Sequence, residues 1–181
     1  MKKFELTAEF VTNVFGKKLF RIKALVAFGN VEKGELGGFI EKEDNLSHDD
    51  NAWVYGNARV YGDARVYDDA WVFGNAQVSG NAQIYGNAQV SGDARVFGNA
   101  QVYGDADYAV VKGFGRCFRT TTFFRCKDKI LRVQCGCFYG DLAQFREIVK
   151  KTHGDSKYAK EYLAIADLME LHFSDECGGE Q

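Results

Sequence analysis

The sequence predicts a mainly β chain built around a parallel β-solenoid, with a β-hairpin cap before it and a ββαα module after it. Three observations carry this. Residues 51 to 104 repeat every six positions as Asn/Asp, Ala, x, Val/Ile, Tyr/Phe/Ser, Gly through nine consecutive hexads, with a single break at Asp68. The 181 residues contain no proline, as stacked strands require if every amide is to donate to a neighbour. Eight of the 20 glycines, Gly56 to Gly104, close a hexad, so glycine marks regularity here.

The first element, residues 1–50, reads as a hairpin and cap. Alternation over Lys3 to Phe15 and Leu19 to Ala27 gives two strands turning at Gly16-Lys17-Lys18. Gly29 to Ser47 then leads into the first coil and covers its open strand edges, which would otherwise invite aggregation.

The second element, residues 51–110, is the repeat. A period of six does not keep pace with the 3.6 residues of a helical turn, whereas Ala, x, Val, x alternates as a strand does. Glycine followed by Asn or Asp suits a corner, because these residues tolerate left-handed backbone. A strand whose inner residues are only alanine and valine cannot bury itself alone, so copies must stack as a solenoid. With three hexads per turn, the 54 residues from Asn51 to Gly104 make three coils about 15 Å tall at the usual strand spacing.

These hexads resemble the left-handed parallel β-helix of the hexapeptide-repeat superfamily. An aliphatic residue recurs every six positions with a small one two before it, from Val54/Ala52 to Val102/Ala100. Left-handedness comes from the resemblance alone, since parallel crossovers are otherwise right-handed. The chain also resembles a family of uncharacterised phage and prophage repeat proteins in Gly34 to Ile40 (GELGGFI), Asn45 to Ser47 (NLS) and the CGCF stretch at Cys135 to Phe138. The resemblance implies self-association, commonly as a trimer.

Triplet position decides which sheet a side chain decorates. The first sheet carries Trp53, Trp71, Tyr55 and Phe73, and the third a tyrosine ladder of Tyr67, Tyr85 and Tyr103. Half-uncovered, the four rings of the first sheet alone would expose about 300–500 Å². Two covers are open: the chain's own terminal segment, or another subunit. These seven aromatics are the candidate oligomer or partner interface.

The third element, residues 111–173, reads as two strands, Arg116 to Arg125 and Lys129 to Phe138, then a helix from Asp141 to Thr152 and a second capped by Asp155. Tyr158, Tyr162, Ile165, Leu168 and Met169 form the apolar stripe of the second helix. Residues 174–181 read as a flexible tail. Net charge is only -2, yet Lys112 to Arg132 holds seven basic residues against Asp128 alone. Alternation puts Arg119, Thr121, Phe123 and Arg125 on one face, able to grip a phosphate and stack a base. A solvated basic hairpin looks the same. Arg116, Arg119, Thr121, Arg125, Lys127 and Arg132 are the candidate site for an anionic ligand, a nucleotide or nucleic acid.

Several function classes are disfavoured. The superfamily's acyltransferases imply a general-base histidine on a coil, but the hexads contain none, leaving His48 just before them. Cys126, Cys135, Cys137 and His153 could supply four zinc ligands, but Cys-x-Cys is not the usual knuckle; buried free thiols are the commoner outcome. No metal or cofactor is expected. No stretch is long and apolar enough to span a membrane, an export signal is not indicated, and five cysteines in a chain of this size suit a reducing cytoplasm. The expectation is a non-catalytic, self-associating, phage-encoded binding protein that interferes with host machinery such as a defence system. The rival is an acyltransferase-like enzyme using His48 at a subunit interface.

Overall fold

In the computed structural model, which describes residues 2–174, alanine and valine of every hexad form a single buried column. Ala52 to Ala100 and Val54 to Val102 are all fully inaccessible, with Ile84 in the one isoleucine position. Nine two-residue strands carry them: β4 (Trp53–Val54), β5 (Arg59–Val60), β6 (Arg65–Val66), β7 (Trp71–Val72), β8 (Gln77–Val78), β9 (Gln83–Ile84), β10 (Gln89–Val90), β11 (Arg95–Val96) and β12 (Gln101–Val102). Strands 18 residues apart pair in parallel, Trp53 with Trp71 and Trp71 with Gln89, so the repeat wraps into three sheets. The result is a β-solenoid of about four turns.

The ladder continues around the corners. Asn57 N–H donates to the Gly74 carbonyl at 3.1 Å and Asp63 N–H to that of Gly80 at 2.8 Å, leaving no place in these coils for a proline. The hexad glycines from Gly56 to Gly98 sit in the left-handed region, while Gly104, where the coils end, is extended. At Gly80 (φ 69°) a Cβ would also come within 2.8 Å of the Gly98 amide of the next coil, so both conformation and space require glycine. Asp68 takes the same left-handed corner (φ 56°), and its carboxylate accepts from Gly86 N–H at 3.0 Å. The one break in the motif keeps the corner and adds a bond.

The N-terminal hairpin is not a separate cap. β1 (Phe4–Thr12) and β2 (Lys18–Ala24) pair antiparallel, and β3 (Leu36–Ile40) pairs antiparallel with β2 and in parallel with β5. The hairpin thereby extends one solenoid sheet into six strands, β1-β2-β3-β5-β8-β11. With Leu46 bridging Val66, the lead-in supplies the additional turn.

Where backbone runs out, side chains finish the first coil. Buried Asn45 donates through Nδ2 to the carbonyls of Gly62 (3.1 Å) and Ala64 (2.8 Å). Lys3, 3% exposed, donates through Nζ to the carbonyls of Asp49, Asp50 and Ala52 at 3.2, 3.2 and 2.9 Å. At the far end Gln89 N–H donates to Asp105, Arg95 N–H to the Thr122 hydroxyl, and the Tyr103 and Gly104 amides to Asp107.

The C-terminal module differs from the expected ββαα. It is a four-stranded antiparallel sheet, β13 (Tyr108–Phe114), β14 (Arg119–Arg125), β15 (Leu131–Cys135) and β16 (Phe138–Asp141), followed by α1 (Leu142–His153) and α2 (Lys157–His172). β13 begins inside the expected repeat domain, and Arg116 to Phe118 lie in a turn, not in a strand. Asp141 caps α1 by accepting from Gln144 N–H at 2.8 Å, and Ser156, not Asp155, caps α2 by accepting from Ala159 N–H at 3.3 Å. Tyr162, Ile165 and Met169 are buried, but Tyr158 and Leu168 of the expected stripe face outward. Of the expected tail, residues 175–181, Cys177 among them, lie outside the described residues. Among the described residues no helix is long and apolar enough to cross a membrane.

Burial pushes the Lys3 ammonium down to about 8, against the pull of Asp50, Asp49 and Asp69. The unfolded chain holds this proton to about 10.5, so between pH 8 and 10.5 unfolding takes up a proton and stability rises with pH. Lys3→Met strips the Ala52 carbonyl of its donor, and we expect it to cost about 1–3 kcal/mol at pH 7. Thermal midpoints of both proteins from pH 7 to 10 should show the wild type gaining on the variant above pH 8.

Candidate functional site

The sheet β13–β16 is a septum with two apolar faces. On one, Phe124 and Cys126 join the solenoid core, and Phe97 packs against Tyr139 in a tilted arrangement at 4.8 Å. On the other, Phe123 and Val133 lie under the helices with Phe145, Val149 and Tyr162. All four residues from Thr121 to Phe124 are therefore buried.

This divides the expected anion site. Thr121 is buried and its hydroxyl donates to Cys135 Sγ at 3.1 Å, while Phe123 packs edge-on against Phe145 at 6.1 Å. Neither can meet a base or phosphate, because the face that carries them is the one the helices cover. Arg125 is engaged by Asp107 at 3.4 Å and by the Phe173 carbonyl at 3.1 Å, and Arg132 by Asp128 at 2.7 Å. Lys127 is exposed beside the last coil, its amide bonded to the Asn99 carbonyl at 3.0 Å.

Arg116 and Arg119 remain together. Both are exposed, and among the described residues neither forms an ion pair. They stand at a cleft of about 370 Å³. The β13–β14 turn and the start of β14 contribute Arg116, Cys117 and Arg119, and the β15–β16 turn and the start of β16 contribute Cys137 and Phe138. Helix α1 contributes Phe145, Ile148, Val149, Thr152 and His153, and α2 contributes Tyr162. Glycines shape both turns: a Cβ on Gly115 (φ 70°) would strike the Tyr162 ring, and one on Gly136 (φ 62°) would strike the Arg119 guanidinium. Tyr162 donates to the Phe114 carbonyl at 3.3 Å. Burial, with Cys135 beside it, pushes its phenol up to about 12, so it presents a neutral wall at physiological pH. His153 stacks on it at 5.9 Å. A second, polar groove of about 480 Å³, lined by Gln77, Arg95 and Thr120 among others, shares Arg119 and Cys137 with the cleft.

The four residues weighed as zinc ligands are divided between the septum's two faces: Cys126 belongs to the solenoid side, while Cys135 packs against the helical core. Among the described residues no group of three or more His, Cys, Asp or Glu could hold a metal ion.

His48 is built into the N-terminal end. Its Nδ1 accepts from Lys3 N–H at 3.2 Å, its ring stacks on Phe4 at 4.2 Å, and its Nε2 faces Glu43 Oε2 at 3.7 Å. A shallow cleft shared with Tyr67 and Arg65 lies alongside. Both ring nitrogens thus face groups of the chain itself, one an amide donor and the other a carboxylate.

The aromatic rows are partly self-covered. Trp53 is fully buried under Phe28 (5.3 Å) and Phe4 (6.3 Å), so it cannot meet a partner. Tyr55 fills the space between Trp53 and Trp71, which with Phe73 is half-buried. Tyr67 and Tyr85 stack in parallel at 5.1 Å, and Tyr103 closes the row edge-on at 5.3 Å with 59% of its surface exposed. Sequence reasoning overlooked the end-capping Lys3 and Asp107, and the cleft wall of Phe145 and Val149. Asn45 was within reach, being the polar residue of a stretch that leads directly into the first coil.

A family model described as YdcK Beta solenoid repeat matches residues 52–67, 58–74, 64–80 and 88–104. The matches fall within the coils and stop before the cleft. No curated protein matches the chain.

Cys117 and Cys137 are exposed at the cleft, whereas Cys126 is buried, its thiol pushed up to about 11 by burial. Alkylation of the native protein at pH 7.5, followed by peptide mass spectrometry, should modify Cys117 and Cys137 first and Cys126 only when the chain is unfolded.

Proposed function

We propose that this chain is a non-catalytic binding protein: a left-handed β-helix with three hexapeptides per coil, which holds a C-terminal module whose Arg116 and Arg119 capture an anion. The 18-residue register of the paired strands and the resemblance of the hexads support the coil geometry. The observation that carries the binding role is the pair of exposed guanidinium groups, without carboxylate partners among the described residues, at the mouth of a mainly apolar cleft. Three other arginines of the module are matched differently: Arg125, Arg132 and Arg146 each face a carboxylate. The engaged imidazole of His48 favours this reading over an acyltransferase. The likeness of the lead-in and the CGCF stretch to phage and prophage proteins supports a host cytoplasm as the place of action, with a host ligand or protein as target.

A second element is self-association along the third sheet. Tyr103 ends the tyrosine ladder with more than half its surface uncovered, and a second copy covering it would bury apolar area in a symmetric contact. Light scattering should give a mass above the 20.3 kDa of one chain, and Tyr103→Glu should lower it; a strict monomer at 100 µM removes this element.

Charge-assisted hydrogen bonds contribute about 1.5–3 kcal/mol each. In titration calorimetry with inorganic pyrophosphate, we expect Arg116→Ala/Arg119→Ala to weaken binding at least tenfold at low salt, with an unchanged circular dichroism spectrum. Equal affinity in the two proteins would remove the anion role.

A further inference from the structure

The cleft and the adjoining groove differ in chemistry and meet at one side chain. On one side of Arg119 the wall is Phe138, Phe145, Val149 and the neutral ring of Tyr162; on the other are Gln77, Arg95 and Thr120. Asp93 also lines the groove, where Lys112 pairs with it and Arg95 acts on it electrostatically, so among the described residues Arg119 is the cation there without an ion pair. Gly136 keeps Arg119 in place, since its missing Cβ is the space the guanidinium occupies.

We infer that the ligand of this site is a small amphipathic anion: a short acyl or aryl body in the cleft with a phosphate or carboxylate head at Arg119, flanked by Arg116 and facing the polar groove. The inference rests on the anion-binding reading above and narrows it to a ligand class. An inorganic anion would leave the apolar wall unused. A nucleobase would set much of its hydrogen-bonding edge against Phe138, Phe145, Ile148 and Val149, with Thr152 and His153 at one side to meet the rest, and polar groups buried without partners are penalised. An alkyl chain has no such groups and gains from every carbon it removes from water. At about 370 Å³ the cleft lies at the small end of ligand pockets, which run from about 300 to 1,000 Å³, so a short body fits and a long lipid tail does not.

The test is a calorimetric series on the full chain with inorganic phosphate, butyl, hexyl and octyl phosphate, hexanoate and adenosine monophosphate. Each added methylene should tighten binding about fourfold until the cleft is full. Hexanoate measured beside hexyl phosphate identifies the head group preferred. Arg119→Gln should weaken every member. Ile148→Trp, which fills the cleft from a partly exposed position on α1, should abolish the gain with chain length. Should chain length add nothing while binding still depends on Arg116 and Arg119, this inference falls and the anion-binding reading stands. Tighter binding of adenosine monophosphate than of octyl phosphate likewise overturns it. If no anion binds at all, both readings fall. The wild-type series decides the matter even if a variant fails to fold.

Discussion

The structure depends on a hydrogen-bond ladder that runs along the solenoid axis and around the corners from Asn57 to Asn81. Each coil must find amide partners above and below, and its inner surface is only alanine and valine, so no coil is stable alone. The ladder therefore turns the two ends into the difficult places, where a ring of backbone groups meets no further coil. Both ends are closed by other parts of the chain. At the start, β3 and Leu46 continue the pairing, and Asn45 and Lys3 reach the carbonyls that backbone does not. At the finish, Asp105, Asp107 and Thr122 accept from the last amides. A lysine with 3% exposure is costly to bury, and three carbonyl acceptors are what hold it there.

The second cap carries the site. Because the septum must cover the last coil with one face, its opposite face is free to found a second core with α1 and α2, and the cleft opens where the two sheet turns meet those helices. The solenoid contributes to the groove as well. Gln77 and Arg95 occupy the variable third position of their hexads, where a side chain points outward and can change without touching the alanine–valine column. The repeat is thus rigid on its inside and chemically adjustable on its outside, and the groove draws on the adjustable positions.

How much of this was legible follows from where the information sits. The coils were readable because one constraint is written nine times, and the break at Asp68 could be placed because aspartate tolerates the left-handed corner. The hairpin was readable from alternation. Its union with the solenoid sheet was not, because β3 pairs with β5 across sequence that carries no periodic mark. On the septum, alternation separated Thr121 and Phe123 from Thr122 and Phe124 correctly. Period two says which residues share a face, however, and not whether that face meets solvent; here both are covered, which moved the expected phosphate grip into a core. Arg116 and Arg119 stayed outside because they belong to a turn and to the strand end beside it, where neither covering layer reaches.

The 18-residue register makes the solenoid a ruler as well as a scaffold. Adding or removing one whole coil would shift the hairpin and the helical module relative to each other by a single strand spacing, about 4.8 Å, and would present each with the same end surface. An insertion of six residues would do something different: the last coil would end on another sheet, and the septum would be carried round to a neighbouring side of the prism. Length can change in steps of eighteen without disturbing the groove's geometry, whereas a step of six would rebuild it from different outward side chains.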